Sequence, residues 1–85
     1  MEKQSDEFLK DITSLLSTIE EDTTVPKNIR QKVKNVMCIL LDNNSALSIR
    51  IDRSIEELGD IADDPNLPPY TKMQVWGIVS QLESY

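Results

Sequence analysis

Beginning at Phe8, apolar residues fall at Phe8, Leu9, Ile12, Leu15, Leu16 and Ile19. At about 100° per residue these positions share one face, so the spacing predicts an amphipathic helix with that face buried. A second helix is predicted from Pro26, since a first turn has no use for the N–H that proline lacks, and it carries Ile29, Val33, Val36, Met37 and Leu40 on one side. Asn43-Asn44-Ser45 interrupts it, and Ser45 or Asn44 is placed to cap a third helix by accepting a backbone N–H. Leu47, Ile51, Ile55, Leu58, Ile61 and Ala62 form the stripe of that helix, and Asp63 to Pro69 the next connection. A fourth helix, starting near Pro68 or Pro69, turns Val75, Ile78, Val79 and Leu82 inward and leaves Glu83, Ser84 and Tyr85 as a short frayed end. No segment alternates with the two-residue period of a strand.

The two halves of the chain match each other at an offset of 42 residues. Asp22-Thr23-Thr24-Val25-Pro26 aligns with Asp64-Pro65-Asn66-Leu67-Pro68. Arg30 meets Lys72, Val33 meets Val75, Val36 meets Ile78, Met37 meets Val79 and Leu40 meets Leu82, while upstream Leu16 meets Leu58 and Ile19 meets Ile61. The matches fall on inward faces and on the turn, which two copies of one helix-turn-helix unit must keep in order to pack alike. The expected fold is therefore all-α, four helices as two related αα-hairpins, with repeat units about 5–42 and 45–85 in a single domain, 1–85. The period is close to the ~40–47 residues of HEAT and armadillo repeats, which suggests a HEAT-like pair; two units can equally close as a compact four-helix bundle.

Three segments carry a family resemblance: Asp22 to Arg30, Asp63 to Pro68, and Trp76-Gly77-Ile78-Val79-Ser80-Gln81-Leu82-Glu83-Ser84. Together they resemble the small archaeal family of uncharacterised proteins numbered 0147, and the resemblance extends over nearly the whole chain. It implies an all-helical cytoplasmic protein of archaeal origin. The family has no assigned activity, so the resemblance transfers no functional residue.

With 39% hydrophobic and 28% charged residues, two Gly and four Pro, the 85-residue chain has the composition of a small globular domain. Its net charge of −6 repels phosphate backbones and anionic membranes, so nucleic acid is an unfavoured partner. The longest apolar run, Val36 to Leu41, is far short of the ~18 residues of a membrane span. The acidic, polar start lacks the order of a secretion signal, and a cytoplasmic location is expected. With one cysteine and no histidine, the chain by itself builds no disulfide, no Ser-His or Cys-His pair and no His-metal cluster. Isolated Gly59 and Gly77 make no phosphate-cradling loop, and they read as residues tolerated inside helices rather than as marks of close backbone approach. Neither a cofactor nor a small-molecule substrate is inferred.

Several features remain as candidates. The clusters Glu20-Glu21-Asp22 and Asp60-Asp63-Asp64 offer oxygen ligands for a hard cation, but Asp22 and Asp64 precede helices, where a carboxylate accepts turn N–H groups. That structural role is preferred, and no metal site is assigned. Lys27, Arg30 and Lys34 lie opposite the apolar face of the second helix and could touch a phosphate backbone, although no aromatic residue is interleaved and a solvated face is the simpler reading. Met73 and Trp76 stand where the first half has Gln31 and Lys34, and with Tyr70 they extend an apolar flank suited to a partner protein or to a second copy. The competing, preferred reading of Trp76 is that it completes the core of a small domain. Ile49 is a second exposed apolar candidate, and Cys38 reads as a small residue beside the core. The expected function is a non-catalytic helical module for protein–protein interaction or self-association, with a nucleic-acid accessory role through Lys27, Arg30 and Lys34 as the alternative.

Overall fold

The computed structural model describes the backbone of residues 2–85 and the side chains of residues 7–85; residue 1 of the expected domain lies outside the described residues. Four helices form: α1 (Glu2–Glu20), α2 (Lys27–Leu40), α3 (Leu47–Ala62) and α4 (Pro69–Glu83). No strand occurs among the described residues.

All three connections are built to one plan. The Oδ1 atoms of Asp22, Asp42 and Asp64 accept the N–H of the residue two places on, Thr24 at 2.9 Å, Asn44 at 3.0 Å and Asn66 at 2.8 Å. The backbone carbonyls of the same aspartates accept the N–H groups of Val25, Ser45 and Leu67 at 3.1, 3.3 and 3.1 Å. Each turn then restarts a helix from an extended residue, Pro26, Ala46 or Pro68, with φ of −54°, −61° and −59°. Proline holds that φ without further cost, which explains its presence at two of the three sites. Neither Ser45 nor Asn44 caps α3, contrary to expectation: Ala46 occupies the cap position with no side-chain hydrogen bond, and Asn44 is a donor to Asp42. The 42-residue comparison pairs only alternate turns, so it conceals the membership of Asp42 in this series.

The inward faces follow the predicted stripes. Leu16, Leu58, Val33, Val75, Val36, Ile78, Leu40 and Leu82 are all buried, as are Ile19 and Ile61, so burial recurs at the 42-residue offset. Val25 and Leu67, one in each of the two aligned turns, join the same cluster. Helix α1 packs on α2, α2 on α3, α3 on α4, and α4 returns to α1 along the sparsest of the four seams. That ring, within extents of 38 × 20 × 19 Å, is the compact bundle rather than an open stack of hairpins. The ring of Tyr85 lies 4.4 Å from that of Phe8, tying the end of α4 to the first half of α1. The expected frayed end is therefore docked, because adjacent ends of α1 and α4 give an aromatic side chain a partner.

The halves differ in polarity at two buried positions. Ser54 and Thr71 stand where the first half has Ile12 and Ile29, and the hydroxyl of Ser54 has no hydrogen-bond partner in the structure. An unpaired buried hydroxyl costs about 1–3 kcal/mol. Ser54→Ala is expected to raise the unfolding free energy by about 1 kcal/mol, read as a higher urea midpoint at unchanged slope; a lower midpoint would mean that the hydroxyl holds an ordered water.

Two stripe assignments change. Leu15 is 40% exposed because it sits on the edge of the α1 stripe that meets α4, where the loose seam leaves a groove of about 200 Å³ shared with Gly77 and Ile78. Cys38 is exposed rather than beside the core, since it lies on the outer side of α2. A Cβ added at Gly59 or Gly77 would meet nothing within 4 Å, so neither glycine serves a close approach.

Candidate functional site

Helix α4 presents large apolar side chains to solvent. Tyr70, Met73 and Trp76 are 70%, 73% and 45% exposed. Each step of three residues turns the direction back by about 60°, so the three trace a slanted strip across the outer surface of α4. Trp76 is therefore not a core residue: on a 100° wheel it stands about 100° or more from Val75, Ile78 and Leu82, which fill the interior. Ile49, at 52% exposure, lies on the outer side of α3, as its spacing suggested.

The basic stripe of α2 is arranged differently from its appearance in sequence. Lys27 and Lys34 are exposed, but Arg30 is half-buried and its Nε donates to the Val25 carbonyl at 3.1 Å. Arg30 thereby braces the turn that precedes its own helix. The same turn holds Asp22, whose carboxyl is kept below its ordinary value of 3.8 by the Thr24 hydroxyl at 2.6 Å and then by the Thr24 N–H, with Arg30 adding a smaller pull against partial desolvation. The carboxylates of the two acidic clusters are thus turn formers at Asp22 and Asp64, and among the described residues no three His, Cys, Asp or Glu side chains are grouped to hold a metal ion.

One arginine with no role assigned from the sequence is central to the packing. Arg50, in the first turn of α3, donates from Nη1 to the Leu40 carbonyl at 2.8 Å, satisfying an otherwise open acceptor at the end of α2. Its Nε is buried without a partner. A sequence signal existed: Arg30 and Arg50 each lie eight residues after the turn aspartate of their connection.

A cavity of about 670 Å³ opens between the start of α3 and the end of α4. Leu47, Ile51, Ile55 and Leu82 form its apolar wall, and Asp52 and Glu83 stand at its rim with Tyr85. Among the described residues, no helix is long and apolar enough to cross a membrane.

Comparison with known proteins places the whole chain in one group. The model of an uncharacterised protein family, UPF0147, matches residues 1–85. A UPF0147 protein of Methanosarcina mazei is 40% identical over 80 residues, covering 94% of this chain and 86% of the relative. One from Methanocaldococcus jannaschii is 39% identical over 82 residues, with 96% and 88% covered. The crystal structure of MMP1188, a protein of unknown function, superposes with a TM-score of 0.90 at 45% identity over 94% of this chain and 91% of that one. A UPF0147 structure from Thermoplasma acidophilum gives a TM-score of 0.87 at 29% identity, with 94% of both chains covered. Fold, length and sequence agree, and the chain belongs to the archaeal UPF0147 family.

Proposed function

We propose that this protein is a non-catalytic helical interaction module that binds another protein, or a second copy of itself, through the outer face of α4. The observation that carries the reading is the exposure of Tyr70, Met73 and Trp76 on one helix, outside a core that is complete without them. Large aromatic side chains and methionine concentrate at the desolvated centres of interfaces, whereas a soluble monomer gains nothing from holding three of them in water. The alternative, nucleic-acid association through Lys27, Arg30 and Lys34, draws less support: Arg30 is engaged with the Val25 carbonyl and the net charge is −6.

A tagged pull-down from native extract, with and without nuclease, separates the two. Retention of a stoichiometric protein after nuclease is the expected result. Trp76→Ala should abolish that retention or dissociate the self-assembly seen by sedimentation, while shifting stability by no more than about 0.5 kcal/mol, because the ring lies outside the core. An unaltered partner set and assembly state in Trp76→Ala overturn the α4 reading, and partners lost with nuclease transfer it to the basic stripe.

A further inference from the structure

We infer that the cavity between α3 and α4 is a docking site for the arginine-bearing first turn of a partner protein's helix, a site that rests on the reading of this protein as an interaction module. The internal repeat supplies the argument. Ile51, Asp52, Ile55, Glu83 and Tyr85 line this cavity, and the residues 42 positions earlier are Leu9, Lys10, Thr13, Leu41 and Asn43. Those five line a second cavity, between α1 and the end of α2, of about 290 Å³. The chain contains one cavity twice, once in each half.

The first copy shows what such a cavity accommodates. Arg50 reaches into it from the first turn of the next helix, α3, and its guanidinium meets the Leu40 carbonyl at 2.8 Å. The acceptor that corresponds to Leu40 in the second copy is Leu82, which lines the larger cavity. The Leu82 carbonyl accepts the Tyr85 N–H at 3.3 Å, and a carbonyl oxygen has a second lone pair. The second copy has more than twice the volume of the first, and no Lys or Arg is among its described lining residues.

Charge has been inverted between the copies in the direction a cationic occupant requires. Lys10 is replaced at the equivalent position by Asp52, and Leu41 by Glu83, so a basic rim becomes an acidic one. Thr13 is replaced by Ile55, which makes the wall more apolar and suits the methylene stem of an arginine. A planar guanidinium answers two carboxylates and a carbonyl better than an ammonium does. Glu83 is seven residues from Trp76, two turns along one stripe of α4, so a helix seated here continues towards the exposed strip of Tyr70, Met73 and Trp76.

The protein's own α3 is the natural probe, since it already fills the first copy. A synthetic peptide of residues 45–62 would be titrated into the isotope-labelled full-length protein, beside the same peptide with Arg50→Glu. Saturable amide shifts at Ile51, Ile55 and Leu82 are expected with the arginine peptide, and at least tenfold weaker binding with its charge-reversed form. The double variant Asp52→Asn, Glu83→Gln should weaken the arginine peptide about fivefold or more with an unchanged melting temperature. Absence of saturable shifts at these three residues up to about 1 mM, the upper edge of weak binding, overturns the inference, as does equal affinity for the two peptides. Peptide binding with a failed pull-down removes the α4 strip alone, and a successful pull-down without peptide binding removes the cavity alone.

Discussion

Leu58→Ala should lower the unfolding free energy by about 3–5 kcal/mol, near the upper end for a leucine truncated in a packed core. Leu58 has no solvent exposure, and it belongs to α3, whose seams with α2 and α4 are the densest in the bundle. Removing three carbons there forfeits their burial and leaves a cavity that two well-packed neighbours are poorly placed to fill. A domain of this size has a total stability of about 4–13 kcal/mol, so the loss is a large share of the whole. Urea melts followed by helical circular dichroism measure the loss. Leu16→Ala, at the equivalent place in α1, should cost less, because the sparse α1–α4 seam gives its surroundings room to move inward. Equal losses at the two positions would show that the loose seam does not relax and that packing, not topology, sets the cost.

Arg50→Ala should cost about 1–3 kcal/mol, a large effect for a residue outside the apolar core. The guanidinium contributes a charged hydrogen bond to the carbonyl of Leu40 at the end of α2, where a cation is also favoured by the helix dipole. Its stem spans two clefts, one beside Leu9 and Thr13 and one beside Cys38 and Ile39, so truncation removes packing as well as charge. The unpartnered Nε works against the gain and keeps the figure below that of a fully satisfied buried arginine. Arg50→Lys should recover only part of the loss, since an ammonium cannot hold the carbonyl and fill both clefts with one planar group. Full stability in Arg50→Ala would mean that the end of α2 is satisfied by water, and it would also weaken the argument that the α3–α4 cavity is shaped for an arginine.

Functional legibility was uneven, for physical reasons tied to particular residues. Periodicity located Tyr70, Met73 and Trp76 on a flank of α4, but it could not choose between core and surface for Trp76. A residue on the edge of a stripe is buried only if a neighbouring helix comes close, and that distance is not encoded in the helix's own repeat. The same limit misplaced Leu15, whose edge faces the one loose seam. The same limit applies to Cys38, which is exposed although it follows core-facing positions of α2, and to Arg30, whose guanidinium folds back on Val25 instead of standing on a charged face. Arg50 repeats the spacing of Arg30 from its turn aspartate, but that spacing does not name its acceptor, which is ten residues away across a turn.

By itself, the chain determined four helices, the turn carboxylates of Asp22 and Asp64, and a 42-residue repeat, since each is a local pattern of spacing or hydrogen-bonding chemistry that needs no neighbour. Only the tertiary structure decided that the hairpins close into a ring, that Tyr85 docks on Phe8, and that one cavity occurs twice with opposite charge. These depend on how far apart the helices lie and which ends meet, quantities fixed by the packing of side chains from different segments rather than by the periodicity of any one of them.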